Sequence, residues 1–241
     1  QKINLTKGKV WPSKGLILLA GNLKPKSGEY QIKFKGEELQ AEDLLSKHLM
    51  GPLQLSGSLA GFLHKGNDVP ELSDYSRDLS GDIKIKLTDG AIPKLGMLEN
   101  FLTLLNPNTA LNAQKEGLSY DYLGGNFKIV KGVVHTNNFE VKSPQINLTV
   151  TGKANLVEDT VLAQVKAMPL QMLDKTIKAI PLLGAILGGG KKGGVIETYF
   201  KMYGKLSQPK FTMEAHKTLT EKPGSILKGL LNLPKNLTEG K

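Results

Sequence analysis

Hydrophobic positions recur along this chain at every second residue. Ile3 and Leu5 alternate with polar neighbours in KINLTKGKV, as do Tyr30, Ile32 and Phe34 in YQIKFKG, Leu53 and Leu55 in QLSGSLAGF, and Ile83, Ile85 and Leu87 in DIKIKL. The period continues through Phe127 and Ile129, then Ile146, Leu148 and Val150, then Val161, Ala163 and Val165. Alternate side chains of a strand point to opposite faces, so these segments predict strands with one dry and one wet face. Short links at 88–90, 124–125, 130–132 and 158–159, each with Gly or Asp, predict hairpin turns and therefore antiparallel pairing. The expected fold is mainly β: a curved antiparallel sheet forming a trough or partly open barrel-like groove, with a few amphipathic helices capping or covering it.

Four segments break the alternation and predict those helices. Leu39, Leu44, Leu45 and Leu49 fall at helical spacing, and Leu95, Leu98, Phe101, Leu102 and Leu105 follow Pro93, a residue suited to a first helical turn. Leu170, Leu173, Ile177 and Ile180 form a third stripe. The last helix, 222–234, carries Ile226, Leu227, Leu230 and Leu231, is flanked by Lys222, Lys228 and Lys235, and stops at Pro234. Those seven residues are candidates for contact with an anionic membrane surface, although such a helix more often packs on its own domain.

Charge sharpens this picture. The chain of 241 residues carries a formal net charge of +10, and 13 of its lysines, against five acids, lie between Lys166 and Lys241. A basic end attracts anions. Nucleic-acid readers combine such charge with arginine and stacking rings, whereas the only arginine here, Arg77, lies elsewhere, so nucleic acid is not an expected partner. Aromatic residues make up only 6% of the chain, so the dry side must be lined mainly by aliphatic side chains.

The sequence carries little that could do catalytic chemistry. The absence of cysteine removes disulfides, thiol nucleophiles and thiolate metal sites. His48, His64, His135 and His216 show no metal-ligand spacing, and GAILGGGKKGG departs from a phosphate-binding loop because Lys192 stands where Ser or Thr is needed and Ala185 where the first Gly belongs. Neither Ser56 nor Ser143 sits in a strand–turn–helix elbow. No catalytic residue, metal or cofactor is expected, and the protein is not expected to be an enzyme. The chain starts at Gln1 and has no apolar run of about 20 residues. It is expected to be a piece of a longer protein, with any anchor outside it.

The order of the segments carries a resemblance. LSGDIKIKLTDG leads to a leucine-rich stretch ending in Leu105-Asn106, followed by a hairpin over YLGGNFKIVKGVV, a second over INLTVTGKANL, and the strand YGKLSQPKF. This series, across Leu79 to Ala215, is similar to the AsmA-like C-terminal domain of the AsmA/TamB-like bacterial envelope proteins. The resemblance divides the chain into a preceding β-rich repeat segment, 1–78, continuous with the sheet, and the domain proper, 79–241. It implies a protein anchored in the inner membrane by a segment outside this chain and lying in the periplasm. Several members are implicated in carrying phospholipid towards the outer membrane along an apolar trough. Another is tied to outer-membrane protein assembly, which makes a scaffold acting by protein–protein contact the alternative.

Together these readings nominate one concave lipid-binding face made by Ile83, Ile85, Leu87, Phe127, Ile129, Ile146, Leu148, Val150, Val161 and Val165. The expected ligand is a phospholipid or other acyl lipid. An outer-membrane or envelope protein is the other candidate partner. Helices at 93–105 and 170–180 could instead fill that face, which would make the same ten residues an ordinary core.

Overall fold

The computed structural model describes residues 2–63, 76–93, 101–103, 117–169 and 197–214. These form one sheet of 11 strands in which spatial order follows chain order. The strands are β1 (Ile3–Val10), β2 (Leu16–Leu23), β3 (Glu29–Gln40), β4 (Pro52–Phe62), β5 (Ser80–Ile92), β6 (Leu118–Val130), β7 (Val133–Lys142), β8 (Ile146–Asn155), β9 (Thr160–Pro169), β10 (Thr198–Lys205) and β11 (Gln208–Met213). All ten neighbour pairs are antiparallel, and β1 and β11 stand at the two edges without meeting. The expected open antiparallel sheet is thus the observed one. Two-residue links after β6 and β10 force adjacent antiparallel pairing of β6 with β7 and of β10 with β11. At Lys131-Gly132 both residues have positive φ (47° and 77°), as a twist-matched hairpin turn requires.

Register explains how the face is built. Residues directly opposite in neighbouring strands share a face. One row therefore runs Leu39, Leu53, Leu87, Leu123, Val141, Leu148, Ala167, Thr198 across seven strand junctions. These side chains, with Phe101, Leu102, Leu118 and Tyr120, are buried, and Leu39, Leu53 and Leu87 are 0% exposed. The core thus follows one margin of the face over β3 to β6 and widens across it over β8 to β10, where Val161, Ala163, Val165 and Phe200 are buried as well.

Several sequence expectations need correction. Asp89-Gly90 is not a turn: β5 runs on to Ile92, and Gly90 pairs with Tyr120. A side chain at 90 would collide with the Tyr120 hydroxyl and the Met50 carbonyl, so this glycine makes room for a ring. Left-handed Asp89 (φ 49°) coincides with a change in the alternation, after which Ile92 joins Leu87 in the core. Gly124-Gly125 likewise lies inside β6, where the β7 backbone at Asn138 and Phe139 comes too close for a side chain at 125.

The first predicted helix shrinks to one turn, α1 (Ala41–Leu44). Leu39 belongs to β3, where left-handed Glu38 (φ 56°) is the extra residue of a bulge, and Leu44 and Leu45 are exposed. Of the second predicted helix, residues 101–103 are described and are helical. The third and fourth, including the membrane-contact candidates Lys222, Ile226, Leu227, Lys228, Leu230, Leu231 and Lys235, lie outside the described residues.

Candidate functional site

Three further rows lie parallel to the core row on the same face. The first runs Val10, Ile17, Gly36, Leu55, Ile85, Gly125 and, beyond β6, Phe139, Val150, Val165, Phe200, Met213. The second runs Gly8, Leu19, Phe34, Gly57, Ile83, Phe127 and then Thr136, Gly152, Ala163, Met202, Phe211. The third runs Leu5, Gly21, Ile32, Leu59, Gly81, Ile129, Val134, Ala154, Val161, Gly204, Pro209. No ionisable side chain enters any of the four rows. Lysines and acids are confined to the other parity of each strand, as at Asp82, Lys84 and Lys86.

All ten residues nominated from sequence stand on this face. Ile83, Ile85, Leu87, Phe127, Ile129, Leu148, Val150, Val161 and Val165 fall in the four rows, and Ile146, two residues before Leu148, extends the set at the margin. Their surroundings differ. Leu87, Ile129, Ile146, Leu148, Val161 and Val165 are buried, whereas Ile83, Ile85, Phe127 and Val150 are only half-buried. Part of the set is therefore core and part is accessible wall.

The boundary between the two is visible in the packing. Phe101 is 1% exposed and lies against Phe200 (ring centroids 5.1 Å apart, edge to face) and Phe211 (4.8 Å), so the helical residues plug the sheet over β10 and β11. Between this plug and the β10–β11 turn, an apolar cavity of about 420 Å³ remains, bounded by Phe101 and Leu118 at one end and Val161 and Leu206 at the other. Phe127, Phe139 and Val150 lie between, and only Thr136 and Lys153 among its lining residues bear a polar side-chain group. Towards β1 the face opens, with Ile3, Leu5 and Ile32 exposed.

Phe139 was missed by the period-two reading because β7 carries a bulge. Its inward residues Val134, Thr136, Phe139 and Val141 are spaced two, three and two, with Asn137 and Asn138 opposite the single Thr151 of β8. Asn138 Oδ1 accepts from the Asn126 backbone N–H at 3.0 Å, which ties the bulge to β6. The signal available in sequence was the polar pair Asn137-Asn138 between two alternating halves. Leu19, Phe34 and Met202 extend the face beyond the nominated set.

Titratable groups near the face serve structure. Tyr120 Oη donates to the Met50 carbonyl at 2.6 Å; burial, reinforced by the Glu42 charge, pushes its pKa up to about 12. Tyr199 is also raised to about 12, first by burial and then by its 2.9 Å hydrogen bond to Glu197. Among the described residues no three His, Asp or Glu side chains come together as metal ligands would, and no helix is long and apolar enough to cross a membrane. What the face offers is a dry surface.

No curated protein and no solved structure matches this chain. The sequence model of the family described as YhdP protein matches residues 17–211, from the second strand to the last. That family is a relative of the AsmA-like and TamB envelope proteins, so the resemblance read from sequence holds for the wider group, and the AsmA-like domain itself is not the family matched. Because the match covers most of its length, the chain belongs to the YhdP family.

Proposed function

We propose that this chain forms part of a periplasmic carrier, anchored in the inner membrane by a segment outside it, that moves phospholipid acyl chains towards the outer membrane along the apolar face. The observation that carries the reading is the set of uncharged rows crossing the sheet beside a cavity that the side chains leave unfilled. Each methylene removed from water contributes ~0.8 kcal/mol, so a ten-carbon stretch of tail lying on this surface gains about 8 kcal/mol before the cost of ordering it. Carriage of this kind needs a continuous dry path and no bond-making chemistry, and the protein is not an enzyme in this reading. The headgroup stays in water at the rim, where the face opens towards β1.

Lipid extraction tests it. Purified protein, washed free of detergent and analysed by mass spectrometry, retains phospholipid, and a fluorescent acyl lipid exchanges into it competitively. Protein that is folded, lipid-free and unable to take up the probe rejects the reading.

Among the described residues the outer backbone of β1 has no partner strand, which favours a second reading, a scaffold for outer-membrane protein assembly that adds a partner strand at this edge. Photo-crosslinkers placed in β1 would then capture a protein, while lipid adducts would support carriage.

A further inference from the structure

We infer that the polar face of the sheet holds a second site, a groove for a phosphate-bearing anion framed by Lys84, Lys128, His135 and Lys153. The groove has a volume of about 680 Å³ and crosses the middle strands on the side away from the apolar rows. Its size lies within the range typical of small-ligand sites.

The register builds it. Asp82, Lys128, His135, Lys153 and Leu162 are successive partners on β5 to β9 and form one wall. Ser56, Lys84 and Asn126 form the other, extended by Asn137 at the bulge of β7. Between the walls the floor is the strand backbone of Gly57, Ile83, Phe127, Thr136 and Gly152, whose own side-chain positions belong to the apolar face.

Charge identifies the ligand. Opposed residues on neighbouring strands are about 5 Å apart, so Lys128 and Lys153 stand some 10 Å from each other with His135 between them. Like charges so placed repel, and Asp82 is the only acid in the lining. Among the described residues none of the three lysines forms an ion pair; the lysines that do pair, such as Lys35 with Glu37 and Lys166 with Glu197, lie elsewhere. The groove therefore gathers three ammonium groups against the single carboxylate of Asp82, opposite Lys128, beside the amide side chains of Asn126 and Asn137. Ammonium groups bind phosphate as point charges and need no arginine fork to do so. The occupant is a phosphate monoester or diester, either free or in a lipid headgroup. Its walls are side chains of the polar parity, and it shares Phe127, Thr136, Gly152 and Lys153 with the lining of the apolar cavity.

Nuclear magnetic resonance titration of the full chain tests it, with inorganic phosphate and glycerol 3-phosphate as soluble probes and phosphatidylcholine vesicles with or without phosphatidylglycerol as membrane probes. Amide shifts are expected to saturate and to cluster at residues 56, 82–84, 126–128, 135–137 and 153. Lys128→Gln/Lys153→Gln is expected to weaken binding at least tenfold, and Lys210→Gln, at the far edge, to leave it unchanged. Saturation by the soluble phosphates identifies a free ester, and binding only to phosphatidylglycerol vesicles identifies a headgroup; either sustains the site. Shifts scattered over the surface, no saturation with any probe, or equal weakening by Lys210→Gln overturns it. The double variant removes repulsion and is expected to melt no lower than the parent without phosphate; phosphate should raise the melting temperature of the parent alone.

Discussion

Leu53 and Ile83 both point to the same face of the sheet, yet they play different parts. Leu53 is fully enclosed by the core row, while Ile83 is half-buried where the face opens. Leu53→Ala should cost about 2–5 kcal/mol, the usual range for a leucine cavity in a packed core, measured by urea denaturation. Ile83→Ala should cost about half as much or less, since much of its surface already meets solvent. Lipid uptake should respond in the opposite order, falling for Ile83→Asp while the protein remains folded.

Tyr120 and Tyr199 supply a pH signature. Their pKa values rise from 10.0 to about 12 on folding, so the folded state holds its phenolic protons more tightly than the unfolded chain. That contribution to stability is complete below pH 10 and is lost as the pH climbs through about 12. Denaturation midpoints should therefore drop between these limits, and Tyr120→Phe should flatten the drop while losing about 1 kcal/mol at neutral pH with its hydrogen bond to Met50.

At the scale of elements, strands were legible wherever alternation was clean. DIKIKL, NFKIV, INLTVTG and VLAQVKA each announced a dry face, and all ten nominated residues lie on it because a period of two leaves no other choice. The failures have local causes. In β2, LILLAGNL is apolar at both parities, with Leu18 on the polar side between Lys9 and Lys35, so no alternation marks the strand. In β3 and β7 a bulge inserts one residue and shifts the phase, and at Glu38 this turned a strand end into an apparent helical stripe. How far a helix covers the face depends on contacts distant in sequence, such as Phe101 on Phe200, which spacing cannot supply.

Gly57 lies on the apolar face where a side chain would collide with the Asp82 carbonyl oxygen and crowd the Phe34 ring. Gly57→Val should destabilise the sheet by about 1–3 kcal/mol through overpacking, read as a lower urea midpoint. It should also weaken lipid uptake more than its stability loss explains, because it fills the wall between Phe34 and Ile83.

For the whole molecule, the two sides of the sheet divide the work. One carries uncharged rows from edge to edge, closed along one margin and open towards β1; the other carries lysines over a shallow groove. Among the described residues, an 11-stranded sheet that keeps charge off one face while leaving 420 Å³ of apolar space beside it supports the proposed carriage of hydrocarbon. Site-specific lipid crosslinking measures this most directly. A photoreactive acyl-chain phospholipid bound to the protein should label Ile83, Phe127 and Val150 on the apolar face and spare Lys33 and Lys84 on the polar one. Labelling spread evenly over both faces, or none at all on folded protein, would contradict the account.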